Sequence, residues 1–147
     1  MSTMNVKPDP ARATISKEAL LAQPESSYMN TEQRHFFRVL LEQQLEETLD
    51  HIASLVAGLR DNERNADEAD RASAEEEQRY ALRVIDRERK LASKIREALE
   101  RVETDDFGYC EMTGEPIGLQ RLLLRPTATL CIAEKERQEY RERRYRN

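Results

Sequence analysis

No tryptophan occurs in the 147 residues, and there are only four glycines and three phenylalanines. That leaves little material for a large compact core, and it suits long helices whose charged faces stay in water. Surplus positive charge is also missing: 24 Lys and Arg stand against 29 Asp and Glu, a net charge of −5. Generic binding to nucleic acid needs the opposite balance, because Lys and Arg make the phosphate contacts. Direct sequence-specific DNA binding is therefore not expected. No apolar run approaches the roughly 18–20 residues of a membrane span. The first residues, MSTMNVKPDPARATISKEALL, lack the charged-then-apolar order of a secretory signal. The expectation is a cytoplasmic monomer. In that compartment the two cysteines are thiols or metal ligands before they are a structural disulfide. The two histidines, His35 and His51, have no carboxylate arrangement that would complete a triad. An enzyme is not expected.

What is present is helical periodicity. Residues 1–29 are polar, contain Pro8, Pro10 and Pro24, and read as an arm belonging to a globular base, with a short helix over SKEALLAQ, residues 16–23. At Asn30 the signal changes. Asn30 and Gln33 have the spacing of a capping box, in which each side chain satisfies an orphan backbone donor. Phe37, Leu41, Leu45, Thr48, Ile52, Leu55 or Val56, and Leu59 then recur on one face of a helix. A second periodic run follows: Ala81, Val84 or Ile85, Leu91, Ile95, Ala98 or Leu99, and Val102, ending near Asp105. Between them, DNERNADEADRASAEEEQ (residues 61–78) has no large apolar residue. Neither narrow stripe can be buried alone, so the two helices pair as an antiparallel coiled-coil hairpin over residues 30–106, with its tip near 65–72. The fold class is mainly α: this long hairpin on a small globular base, a zinc-finger-like knuckle at 107–132, and a charged C-terminal helix at 133–147 with Tyr140 lying back on the base.

Three groups of residues could carry function. At the tip, Asp67 and Asp70 share one face if the segment is helical, and carboxylate oxygens suit a Mg²⁺ ion; read alone, they are a solvated acidic helix start. On the second helix, Arg87, Lys90 and Lys94 share one face, and Arg125 and Lys135 could join them at a phosphate-bearing ligand. Read alone, these are surface cations pairing with Glu88 and Glu97. The third group is the knuckle, CEMTGEPIGLQRLLLRPTATLCIAEKE, residues 110–136. A four-ligand site needs two C-x-x-C pairs about 15–20 residues apart. Here Thr113 and Glu134 stand where second cysteines would, beside Cys110 and Cys131. The apolar residues Ile117, Leu119, Leu122, Leu124 and Leu130 can hold such a loop together by themselves. The expectation is a knuckle that keeps its fold without zinc, its two thiols close together.

Four segments taken together resemble the DksA/TraR family of bacterial RNA polymerase regulators: EADRASAEEE at 68–77, DRERKLASKIREAL at 86–99, DDFGYCEMTGEPIG at 105–118 and RLLLRPTATLCI at 121–132. The resemblance spans about residues 28–135. It implies a hairpin that enters the secondary channel of RNA polymerase and acts near the catalytic Mg²⁺ through tip residues matching Asp67, Asp70 and Ala72. It also implies a site for the alarmone ppGpp, shared with the polymerase, to which Lys94, Arg125 and Lys135 correspond, with Arg87, Lys90 and Leu91 nearby. Zinc-bearing members have four cysteines at the positions of Cys110, Thr113, Cys131 and Glu134; this chain keeps two. The segment RNADEAD before the tip lacks the aromatic and proline residues common in the best-known members, so contacts from those positions do not carry over. The implied function is to destabilise promoter complexes with ppGpp in the stringent response, repressing ribosomal RNA promoters and activating amino-acid biosynthesis promoters. Two competing readings are a transcript-cleavage factor whose tip acids hold Mg²⁺ in the polymerase, and a coiled-coil adaptor unrelated to polymerase.

Overall fold

The computed structural model describes residues 12–65 and 71–145, with side chains described for 12–62 and 71–145. Its elements in chain order are α1 (Lys17–Ala22), a 3-10 turn (Glu25–Ser27), α2 (Thr31–Asn65), α3 (Arg71–Glu103), α4 (Leu119–Leu124) and α5 (Ile132–Tyr145). Two compact units emerge. One, the hairpin, is Leu41–Glu100; the other, the base, combines Met1–Leu40 with Arg101–Asn147.

In the hairpin, α2 and α3 bury most of the faces that their periodicity marks, but Leu91, expected in the stripe, is exposed, and the next residue, Ala92, is buried in its place. Leu41 and Thr48 on α2, and Ile85, Ala92, Ile95 and Ala98 on α3, are the buried residues of this unit. Thr48 is a polar member of that seam, and its hydroxyl donates to the Gln44 carbonyl one turn back at 2.7 Å, so it is buried without an orphan donor. His51 Nδ1 lies 3.4 Å from the Glu88 carboxylate across the hairpin. Both helices extend into the polar stretch 61–78, α2 as far as Asn65 and α3 from Arg71. That stretch has no large apolar residue, yet its Glu, Arg and Ala are good helix formers.

The base is built around Phe37, Val102, Phe107, Leu20 and Leu122, all buried. The Phe37 and Phe107 rings sit 5.5 Å apart. The entry to α2 is a closed amide network. Gln33 donates its backbone N–H to Asn30 Oδ1 at 2.9 Å, and its own Oε1 accepts from the Met29 N–H at 2.8 Å. The return bond lands one residue earlier than in the usual capping box. Gln33 is fully buried, and its Nε2 donates to Gln23 Oε1 at 2.9 Å.

Tyr28 ties this entry to the knuckle. Its hydroxyl donates to the Gly108 carbonyl at 2.6 Å and accepts from the Gly118 N–H at 2.9 Å. Burial pushes the Tyr28 phenol above its ordinary value, and the nearby Tyr109 adds to this against the backbone hydrogen bonds. Gly108 adopts φ +89°, and a Cβ there would meet Met29 side-chain atoms at 3.0 Å and the Tyr28 oxygen at 3.1 Å. Only glycine fits both the backbone angle and the close approach.

Two expectations are corrected here. Leu124 does not join the apolar filling of the knuckle: Leu122 is fully buried, but Leu124, two residues on along α4, is 85% exposed. A step of two residues turns a helix by about 200°, so the two cannot face the same way. Tyr140 does not lie back as a buried residue; it is exposed on α5, with the Arg144 guanidinium 5.6 Å from its ring centre.

Candidate functional site

The tip aspartates Asp67 and Asp70 lie outside the described residues. Ala72 is the second residue of α3 and is exposed. The basic set divides between the two units. Arg87, Lys90, Leu91 and Lys94 lie on α3 in the hairpin, Arg125 and Lys135 in the base. Arg87, Lys90 and Lys94 are exposed, and so is Leu91, at 38%. The pairing expected with Glu88 and Glu97 is not what forms. Glu88 takes His51, and Lys90 takes Asp86 one turn back at 3.1 Å. Arg87 and Lys94 make no ion pair among the described residues. In the base, Arg125 is the exposed C-cap of α4, its N–H donating to the Arg121 carbonyl at 2.8 Å. Lys135 is half-buried in the first turn of α5, with Nζ 3.4 Å from Gln138 Oε1.

The four ligand positions fall on separate pieces of the knuckle: Cys110 and Thr113 in its first loop, Cys131 at the end of its second, and Glu134 in the first turn of α5. The Cys110 N–H donates to the Glu115 carbonyl at 2.8 Å, and the Gly114 N–H donates back to the Cys110 carbonyl at 2.9 Å. The second half is tied on by Glu111 N–H to the Thr129 carbonyl at 2.9 Å and by Arg121 Nε to the Leu130 carbonyl at 3.0 Å. Cys110 is buried and Cys131 half-buried, both as free thiols. Burial pushes the Cys110 thiol up. Hydrogen bonds from the Thr113 hydroxyl and from the backbone at Cys131, Thr113 and Met112 outweigh it and bring the pKa down to about 6. Thr113 thus supports a thiolate. Glu134 is buried, and its carboxylate is held by Arg137 on the next turn of α5.

Sequence reasoning missed several residues that shape this region. Tyr28 gives no periodic signal, because its role is a long-range hydrogen bond across 80 and 90 positions of sequence. Arg137 was readable as a partner for Glu134 from the three-residue spacing on a charged helix. A cleft of about 950 Å³ between the 23–28 turn and the knuckle, lined in part by Tyr28, Ile117, Arg121, Leu124 and Arg125, had no sequence signature.

The architecture is that of a helical hairpin joined in one chain to a two-loop knuckle and a terminal helix. Residues 33–102 match the family model "DnaK suppressor protein DksA, N-terminal domain", and residues 105–140 match "Prokaryotic dksA/traR C4-type zinc finger". The chain belongs to the DksA/TraR family. It is 44% identical over 138 residues to the RNA polymerase-binding transcription factor DksA of Caulobacter vibrioides, covering 93% of this chain and 97% of that one. The DksA of Escherichia coli, of the same description, is 45% identical over 132 residues, covering 89% and 87%. Among solved structures, transcription factor DksA2 from Pseudomonas aeruginosa is 56% identical, with a TM-score of 0.81 over 87% of this chain and 99% of that one.

The reading of the knuckle as free of zinc is corrected by these matches. The C4-type zinc-finger model over residues 105–140 points to zinc binding. Cys110 and Cys131 are the thiols this chain offers such an ion. At the other two positions Thr113 brings a neutral hydroxyl, not a usual zinc donor, and the Glu134 carboxylate is engaged by Arg137. Among the described residues no group of three His, Cys, Asp or Glu forms a metal site. The four-thiolate set is not present in this chain, which has two cysteines.

Proposed function

We propose that the chain is an RNA polymerase-binding transcription factor of the cytoplasm, without catalytic activity of its own, that inserts its hairpin tip into the secondary channel of the polymerase. What carries this reading is the helical hairpin matched along residues 33–102, together with the description shared by the relatives at 44–45% identity. The tip residues Asp67, Asp70 and Ala72 act near the catalytic Mg²⁺, where carboxylate oxygens change the local field of the ion. ppGpp binds between factor and polymerase through Lys94, Arg125 and Lys135, with Arg87, Lys90 and Leu91 beside them. Guanidinium groups grip phosphate oxygens in pairs, and ammonium groups add point charge.

The effect on transcription follows from differential binding. A factor and an alarmone that bind one polymerase conformation better than another shift the population by the difference in affinity, and each strengthens the other by the same factor. Promoter complexes that are short-lived, such as those at ribosomal RNA promoters, then decay faster, while promoters of amino-acid biosynthesis gain. The test is transcription with purified bacterial polymerase. A shortened lifetime of open complexes on a ribosomal promoter, shortened further by ppGpp, is expected. An unchanged lifetime under both conditions overturns the reading. RNA cleavage in stalled complexes, which would mark a cleavage factor instead, is expected to be absent.

A further inference from the structure

The knuckle offers an ion two sulfurs and commits its other two ligand positions elsewhere. Thr113 accepts the Glu115 N–H at 3.2 Å and donates its hydroxyl proton to the Cys110 sulfur. Glu134 is buried, and the Arg137 guanidinium holds its carboxylate. The two thiols are neighbours: the Cys131 N–H, with those of Thr113 and Met112, points at the Cys110 sulfur. Cys131 also caps α5, its carbonyl accepting from the Lys135 N–H at 3.0 Å, so it stands at the positive end of a 14-residue helix. Cys110 is buried and Cys131 half-buried, both free, which leaves an ion one open approach. A structural zinc ion takes four donors in a tetrahedron. Soft thiolate ligands select Cu(I), a closed-shell ion that two opposed sulfurs satisfy. Its bis-thiolate carries one net negative charge, which the backbone N–H groups and the helix end complement.

We infer that Cys110 and Cys131 form a two-coordinate site for Cu(I), and that Arg137 sets this preference by withholding the Glu134 carboxylate. Cu(I) takes the place of the thiol protons, which pass to water, and no electron is transferred. No group of three His, Cys, Asp or Glu among the described residues offers a larger set. The C4 set that the family model describes supplies what zinc needs; the pair in this chain supplies what Cu(I) needs. Zinc binds the same pair and yields it to Cu(I). Glu134 is the one hard donor beside the sulfurs that could serve zinc as a third ligand, and the Arg137 guanidinium competes with the ion for it. The site is independent of the polymerase and of the hairpin tip.

The test is an anaerobic titration of the reduced full-length protein with Cu(I) against a coloured Cu(I) chelator, with X-ray absorption at the copper edge. The expected result is one Cu(I) per chain with two sulfur neighbours, and release of bound zinc by an equimolar amount of Cu(I). Cys131→Ser is expected to lose Cu(I) affinity by more than about 100-fold, and Thr113→Val, which removes a hydrogen bond to the ligating sulfur, by roughly tenfold. Arg137→Gln is expected to keep Cu(I) affinity within about threefold and to raise zinc affinity about tenfold, a gain that the double variant Glu134→Gln, Arg137→Gln loses. Copper without sulfur neighbours, or copper held equally well by Cys131→Ser, overturns the site. Zinc that Cu(I) fails to displace overturns the preference. Unchanged zinc affinity in folded Arg137→Gln overturns the role of Arg137. If that variant is unfolded by circular dichroism, refolding on addition of zinc is the expected result, and failure to refold overturns the same role.

Discussion

One hydroxyl joins two loops in the base. Because Tyr28 both donates to Gly108 and accepts from Gly118, Tyr28→Phe leaves the part-buried Gly118 N–H without its protein partner, while the Gly108 carbonyl keeps the Ile117 N–H at 2.8 Å. The expected cost is about 1–3 kcal/mol, read as a lower denaturant midpoint at unchanged slope; a midpoint equal to the wild type would mean the bond contributes nothing. Cys110 titrates in the opposite sense to its burial. Its folded pKa of about 6 lies below the ordinary 9.0, so the folded state favours the thiolate. The stability this adds is complete above about pH 9 and is lost as pH falls through about 6. In chelator-treated protein the thiolate absorbance is expected to titrate with a midpoint near 6. A midpoint at the ordinary value, or a pH dependence that survives Cys110→Ala, would contradict the hydrogen-bonding account of the knuckle.

At the scale of elements, α2 and α3 are legible because each must bury a stripe and each repeats it for many turns. The start of α2 was visible in Asn30 and Gln33, although the return bond goes to Met29. What the periodic pattern does not report is a weak point inside a helix. Gly58 sits in α2, exposed, with nothing within 4 Å of where a Cβ would stand. Gly58→Ala removes backbone freedom from the unfolded chain and adds no clash. It is expected to stabilise the hairpin by about 0.8–1 kcal/mol and to raise the thermal midpoint by roughly 2–4 °C. No change by calorimetry would show that α2 melts around this residue independently of the rest. The exposed pairs Arg34–Asp105 and Arg38–Glu103, at 3.3 and 2.9 Å, decide much less, since such surface pairs add at most about 1 kcal/mol.

At the scale of the whole molecule, binding and effect are separable. If the hairpin body and the base hold the polymerase while the tip acts, then Asp70→Asn keeps nearly the shape of the side chain and removes one charge where the effect is exerted. Binding to polymerase is expected to stay within about threefold of the wild type, while the shortening of open-complex lifetime on a ribosomal promoter is lost. Full activity of this variant in the decay assay would remove the tip carboxylate from the mechanism. No helix among the described residues is long and apolar enough to cross a membrane.

By itself the sequence determined the two long helices, their pairing, the order of the segments, the family and a short helix over 16–23, which the structure forms at Lys17–Ala22. Each of these rests on local spacing or on quoted motifs, and local spacing survives whatever the rest of the chain does. Only the tertiary structure decided which knuckle leucines are buried: a run such as LLLR gives hydrophobicity without direction, and the direction is fixed by what α4 packs against. It also decided that Glu134 is buried against Arg137, that hydrogen bonding from Thr113 and the neighbouring backbone brings the Cys110 pKa down, and that Tyr28 bridges Gly108 and Gly118. These contacts depend on atoms meeting to within a few tenths of an ångström between segments far apart in sequence, and no periodicity encodes that.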